Sequence, residues 1–232
     1  MQALILADGA FPVAEKRLNL LRQTPNLICC DGAVEKLVAF GLEPLAIVGD
    51  MDSISEDLKV RFADRLYPSA DQETNDLTKA VNYCLENGFD ELAILGATGL
   101  REDHTLGNIA LLADYAAKLS SVCLLTDYGR MDAVLAGMLP DDHRPAGLDA
   151  GAPEVCATRD GRFTVARFGC NPGQQVSVFA LDPTTHIHSL GLKYPLEDRR
   201  FTSWWQGTLN EATGEQFSLS FDKGGLIVYR VG

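Results

Sequence analysis

From Leu4 to Thr126 the chain alternates short apolar runs (LILA, LICC, LAIV, ELAIL, VCLLT) with segments whose apolar residues recur every three or four positions. Continuous apolar runs of four or five residues, separated by helical periodicity, predict parallel strands buried on both faces and flanked by helices. The clearest helix opens near Asp76. There Leu77, Ala80, Val81, Cys84 and Leu85 fall at i, i+3, i+4, i+7 and i+8, one apolar face that stops before Gly88. A second helix, marked by Leu106, Ile109, Leu112 and Ala113, follows the run Glu91 to Leu95 and a loop containing Gly96 and Gly99.

After Thr126 the helical period disappears. QVSVFAL, HIHSLGL, FSLSF and GLIVYRV alternate at period two between Gly, Pro, Asn and Asp, which predicts an antiparallel β-sandwich. Residues 140–162, polar and rich in Pro, Gly and Ala, read as an exposed loop or loose hairpin. The expected architecture is an α/β domain over 1–135, a parallel sheet flanked by helices, followed by an all-β sandwich domain over 136–232.

Composition narrows what such a chain serves. A length of 232 residues and 46% hydrophobic content suffice for two modest cores. The formal net charge of -12 disfavours nucleic-acid backbones and anionic membrane surfaces. No apolar run approaches the ~20 residues that span a bilayer. The opening MQALILADGAFP lacks a basic start and reads as a first strand rather than a signal peptide. Six cysteines without a CxxC pair fit a reduced, cytoplasmic setting.

The candidate chemistry centres on Leu45 to Ile54, LAIVGDMDSI, where an apolar run ends in a glycine and two aspartates one residue apart. Open α/β sheets place ligands at the carboxyl ends of their strands. In an extended segment Asp50 and Asp52 point the same way and converge on one hard cation, magnesium by preference; the alternative is a turn in which each carboxylate caps local amides. Asp8-Gly9 and Asp31-Gly32 sit at two further strand ends and read as turn chemistry. Asp71, Gln72, Thr74 and Asp76 crowd before a helix aimed at the same edge, more than one N-cap needs. Gly96 and Gly99 leave loop amides free for phosphate, and Arg101 offers a planar fork for its oxygens. His104 reads as a structural hydrogen bonder, since no Ser or Cys nucleophile pattern accompanies it. His186 and His188 share a strand face without a Cys or carboxylate close in sequence, so zinc is not expected there. Trp204 and Trp205, taken as strand neighbours, face opposite ways, leaving one free to stack on a flat ligand.

Together these motifs resemble those of the thiamine pyrophosphokinase family. The matching stretches are Gly49-Asp50-Met51-Asp52-Ser53, Asp71 to Asp76, Gly96 to His104, Gly191 to Leu196, and Gly207-Thr208-Leu209-Asn210-Glu211. The resemblance implies transfer of a pyrophosphoryl group from ATP to the hydroxyethyl oxygen of thiamine, with magnesium, in a homodimer whose active sites lie between subunits. By matching position, Asp50, Asp52 and Asp76 are implied as magnesium and phosphate-end carboxylates, and Gln72, Thr74, Arg101 and Asp103 as nucleotide and substrate contacts. Asp76 and Asp103 are the candidates to accept the alcohol's proton. Trp205, with Thr208 and Asn210, is expected on the thiamine side. A magnesium-dependent phosphohydrolase and a non-catalytic thiamine or nucleotide sensor are the rivals; the aromatic second domain weighs against the first and the intact aspartates against the second. The chain departs from the family pattern at Asn75, where threonine is frequent, and at Leu209, where serine stands in the thiamine-binding turn.

Overall fold

A computed structural model describes residues 1–71, 73–138 and 151–232. The chain divides into two compact units, Met1–Leu111 with Leu124–Asp127 and Leu112–Cys123 with Tyr128–Gly232.

In the first unit, strands β1 (Gln2–Leu6), β2 (Leu27–Cys30), β3 (Ala46–Gly49), β4 (Leu66–Pro68) and β5 (Glu91–Leu95) lie in the order β5-β1-β2-β3-β4, every neighbouring pair parallel. Each apolar run is a strand because its residues must be covered on both faces. Leu4, Ile5, Ile28 and Ile47 have no exposed surface. The covering helices are α1 (Glu15–Gln23), α2 (Ala33–Ala39), α3 (Glu56–Arg61), α4 (Asp76–Glu86) and α5 (Glu102–Ala116), the last running into the second unit, with a short 3-10 turn at Ala63–Arg65. Helix α4 buries Leu77, Ala80, Val81 and Cys84 of the stripe its spacing foretold, leaves Leu85 half-buried, and packs on β1, β2 and β3. Helix α5 behaves differently from its pattern: Leu106 stays 57% exposed, and burial begins at Leu112.

In the second unit, β7 (Gly129–Leu135), β10 (Gln175–Ala180), β12 (Asn210–Glu211) and β14 (Gly225–Val231) form the order β12-β10-β14-β7. Strands β8 (Glu154–Ala157), β9 (Thr164–Gly169), β11 (Ile187–Leu190) and β13 (Gln216–Phe221) form β11-β13-β9-β8. All the recorded pairings in these two arrays are antiparallel. Between β5 and β7 in sequence runs β6 (Ser121–Thr126). The inner faces supply one apolar core, including Phe168, Val178, Phe217, Phe221 and Val228, with Phe168 and Phe217 stacked at 4.8 Å.

Three local expectations change. Part of the stretch read as a loop is β8, hydrogen-bonded to β9 through a turn closed by the Thr158 N–H to Phe163 carbonyl bond at 2.8 Å; residues 140–150 lie outside the described residues. Strand β7, placed with the α/β part by the sequence, pairs with β14 along seven residues. Trp204 and Trp205 begin a 3-10 helix, Trp204–Gly207, rather than a strand: the Ser203–Gln206 capping box closes it. No helix among the described residues is long and apolar enough to cross a membrane.

Candidate functional site

The carboxyl ends of β1, β2, β3 and β5 open onto a cleft of about 500 Å³ confined to the first unit. Its acidic lining is Asp8, Asp50, Asp71 and Asp76; Lys79, Arg101 and His104 face it with the loop residues Ala97 and Thr98.

The turn after β3 carries Asp50 into this cleft but not Asp52. Met51 adopts a left-handed conformation (φ 69°), so the two aspartates do not alternate as in an extended strand. Instead the Asp52 N–H donates to Asp50 Oδ1 at 3.1 Å. The convergence of both side chains expected from strand periodicity is thus replaced by the alternative turn, for the backbone reason that one residue has positive φ. That amide bond is the chief cause of Asp50's carboxyl lying below the usual range.

Asp31, at the end of β2, was read as turn chemistry and proves central. It is 3% exposed; its Oδ2 accepts the Ser53 N–H at 3.1 Å, and its Oδ1 has no hydrogen-bond partner. Burial, with the neighbouring Asp50 carboxylate adding to it, pushes Asp31 up to about 6. Above the carboxyl's ordinary 3.8 the folded state holds this proton more tightly than the unfolded chain does. Stability therefore falls as pH rises from about 4 to 6. Asp31→Asn is expected to raise the stability of the cation-free protein at pH 7 by up to about 3 kcal/mol and to change little at pH 4. Calorimetric melting in a chelator at the two pH values checks this, and an unchanged or lowered Tm at pH 7 counts against it.

Helix α4 begins under the cleft. Asn75 caps it by accepting the Thr78 N–H at 2.9 Å, and the Asn75 Nδ2 donates to Asn108 Oδ1 at 3.1 Å. Asn108 in turn donates to the Ala97 carbonyl at 2.8 Å, so α4, α5 and the loop after β5 are tied together. Thr74 lines the cleft but gives its hydroxyl to Asp71 Oδ2 at 2.6 Å. This bond and the Glu73 N–H hold Asp71 below its ordinary value. Gln72 lies outside the described residues. Lys79, missed by the sequence reading, is 7% exposed, donates to Asp76 Oδ1 at 3.0 Å and supplies the cleft's buried cation. No sequence signal marked it, because at i+2 from Leu77 it falls opposite the apolar stripe of the helix.

The loop after β5 takes left-handed turns at Gly96 (φ 69°) and Gly99 (φ 90°). At Gly96 a Cβ would lie 2.4 Å from the Ala7 carbonyl, so only glycine lets the loop close on β1. Arg101 borders the cleft, whereas Asp103 does not. Arg101 grips Asp103 through Nε at 3.1 Å and Nη2 at 2.5 Å, holding that carboxyl down at about 2.

In the second unit Trp205 is 74% exposed, while Trp204 donates Nε1–H to the Ala180 carbonyl at 3.2 Å and packs against Phe179. Thr208 is exposed, its hydroxyl on the Trp205 carbonyl at 2.7 Å. Asn210 is buried and already committed. Its Oδ1 accepts from the Tyr194 and Glu211 N–H groups, and its Nδ2 donates to the Tyr194 carbonyl. Its amide therefore shapes this turn before it can serve a ligand. Leu209 projects outward with φ 60°.

Among the described residues no group of three or more His, Cys, Asp or Glu side chains forms a metal cage. Magnesium does not require one: it binds through one or two carboxylates and fills its octahedron with water and phosphate oxygens. The all-oxygen donors beside Asp50 and the unpartnered, buried Asp31 Oδ1 fit that ion.

Residues 18–124 match the family model "Thiamin pyrophosphokinase, catalytic domain", and residues 161–229 match "Thiamin pyrophosphokinase, substrate-binding domain". Thiamin pyrophosphokinase 1 of Caenorhabditis elegans is 25% identical over 195 residues, covering 80% of this chain and 70% of the relative. Thiamine pyrophosphokinase of Bacillus subtilis (strain 168) is 37% identical over 87 residues, 35% of this chain and 40% of the relative. The crystal structure of thiamine pyrophosphokinase from Bacillus subtilis superposes with a TM-score of 0.74 at 22% identity, over 100% of this chain and 99% of that one. The yeast structure gives 0.72 at 14% identity, over 99% and 86%.

Proposed function

The chain belongs to the thiamin pyrophosphokinase family, and from that premise we propose that its first-unit cleft holds ATP and magnesium while Trp205 and its turn meet thiamine. The enzyme is a thiamine diphosphokinase, a transferase that moves pyrophosphate from ATP to the hydroxyethyl group of thiamine and releases AMP. The observation that carries the assignment of the cleft is the meeting of acidic Asp50 and Asp76 with cationic Lys79 and Arg101 at one strand edge.

Magnesium, when bound, supplies charge neutralisation for the triphosphate. Asp50 is the proposed direct ligand, with Asp52 serving it from outside the cleft through its N–H bond to Asp50 Oδ1 and Asp76 completing the acidic side. Lys79 and Arg101 bind phosphate oxygens, and the Gly96–Gly99 loop offers backbone amides. Thr74 flanks the same phosphates, and the part proposed for Gln72, a nucleotide contact, rests on its place in the family motif. Phosphoryl transfer needs positioning and charge more than covalent help, so these residues align the β-phosphorus with the alcohol. Asp76 is the proposed acceptor of the alcohol's proton. Asp103, held strongly ionised by Arg101 and away from the cleft lining, is the weaker base. Its proposed part is to orient Arg101.

On the thiamine side Trp205 offers a ring face for stacking, Thr208 a hydroxyl, and Asn210 the turn that holds both. We assign a cytoplasmic location and a homodimer with shared sites. Leu100, exposed on the cleft lining, and the exposed Leu106 on α5 are the apolar surface a second copy covers.

The test is product analysis. ATP and thiamine with magnesium should yield AMP and thiamine diphosphate in equal amounts, and none in a chelator; ADP with thiamine monophosphate marks an ordinary kinase. The shared site has its own test: inactive Asp50→Asn and Trp205→Ala proteins, mixed and allowed to exchange subunits, should regain activity. A fully active monomer by light scattering contradicts it.

A further inference from the structure

Asp31 is the buried carboxylate that the proposed mechanism leaves without a task. Its backbone is fixed by the N–H bond to the Val48 carbonyl at 2.9 Å, and its Oδ2 takes the Ser53 N–H from the turn that carries Asp50. Its side chain also stands within hydrogen-bonding reach of Asp50 itself. Gly49 makes this approach possible: a Cβ there would lie 2.7 Å from Asp31 Cβ. Two strand ends are thus pressed together so that one carboxylate backs another.

Oδ1 remains. A buried carboxylate oxygen requires a donor, and none is present among the described residues. Nor does Asp31 line the open cleft, where Asp50 does. A cation seated in the cleft therefore reaches Asp50 directly and Asp31 only through a water of its own shell, and magnesium keeps such waters.

We infer that Asp31 is a positioning residue for the divalent cation, fixing Asp50 and its turn through Oδ2 and accepting a cation-bound water at Oδ1. The inference rests on the reading that a cation binds at Asp50. A positioning residue of this kind governs affinity without being a ligand, and loss of such partners typically weakens metal binding about 10- to 100-fold. Asn at this position keeps the shape and an acceptor for the Ser53 N–H but presents an NH2 donor where the water's own hydrogens point.

The experiment titrates Mn2+, followed by electron paramagnetic resonance, into protein saturated with a non-hydrolysable ATP analogue. Wild type should bind, Asp50→Asn should lose binding, and Asp31→Asn should bind at least about tenfold more weakly while remaining folded by its melting transition. Should Asp31→Asn not fold, Asp31→Ser, which keeps a small acceptor without the charge, takes its place with the same expected loss. An Asp31 variant that binds Mn2+ like wild type, beside an Asp50 variant that does not, overturns the positioning role alone. If wild type fails to bind, or Asp50→Asn binds unchanged, the cation reading beneath it fails.

Discussion

Asp50→Asn is expected to reduce kcat by at least about 100-fold, the scale seen when one preorganised electrostatic contact to a reacting group is removed. Asp50 is exposed, and among the described residues it accepts the Asp52 N–H and faces Asp31. An asparagine oxygen keeps the amide bond, so the turn survives while the charge that meets the cation disappears. Circular dichroism and the melting temperature should remain near wild type, separating lost chemistry from lost fold. Turnover within a few-fold of wild type would place the metal elsewhere.

The largest stability effect is expected in the second unit. Asp132 on β7 is 1% exposed and receives Arg130 through Nε at 2.8 Å and Arg230 through Nη2 at 2.7 Å. Arg230 also donates to the Gly169 carbonyl at 2.9 Å and lies over the Phe168 ring at 5.2 Å. Asp132→Ala leaves a guanidinium buried without its anion, a change worth about 3 to 5 kcal/mol of stability. The urea midpoint should drop with an unchanged slope. A loss below about 1 kcal/mol would mean that Arg230 reaches water after the substitution, and that the pair adds little beyond a surface bridge.

The same strand shows why some elements are plain in the sequence and others are not. The runs at Leu4, Leu27, Ala46 and Glu91 are uninterrupted by charge, because parallel strands covered on both faces admit none. GRMDAVL hides its strand because Arg130 and Asp132 neutralise each other inside, a pairing invisible until β14 brings Arg230 alongside. Helix α4 is legible from its apolar spacing, yet Lys79 is not, since it lies opposite that stripe: it is buried by the site it serves, between Asp76 one turn away, Asp71 just before the helix and Asp50 from another strand end. Asp50, Thr74, Asp76 and Arg101 were picked from motif and do border one cleft; Asp52 and Asp103 do not. The first was misjudged because one left-handed residue, Met51, undoes period-two reasoning, which no composition rule signals. Asp31 reads as an ordinary Asp-Gly turn since the feature that singles it out, an oxygen buried without a donor, exists only once the ends of β2 and β3 meet.

The 3-10 turn at Trp204–Gly207 makes the chain its own optical instrument. The protein has two tryptophans. One indole is anchored to the Ala180 carbonyl and leans on Phe179, and its neighbour stands in water. A Trp204→Phe variant would therefore carry a single tryptophan in a largely aqueous setting, emitting at long wavelength when excited selectively beyond the tyrosine band. An aromatic ring laid upon it would dim and blue-shift that emission, so ligand arrival at this turn can be timed in a stopped flow without label or coupled assay.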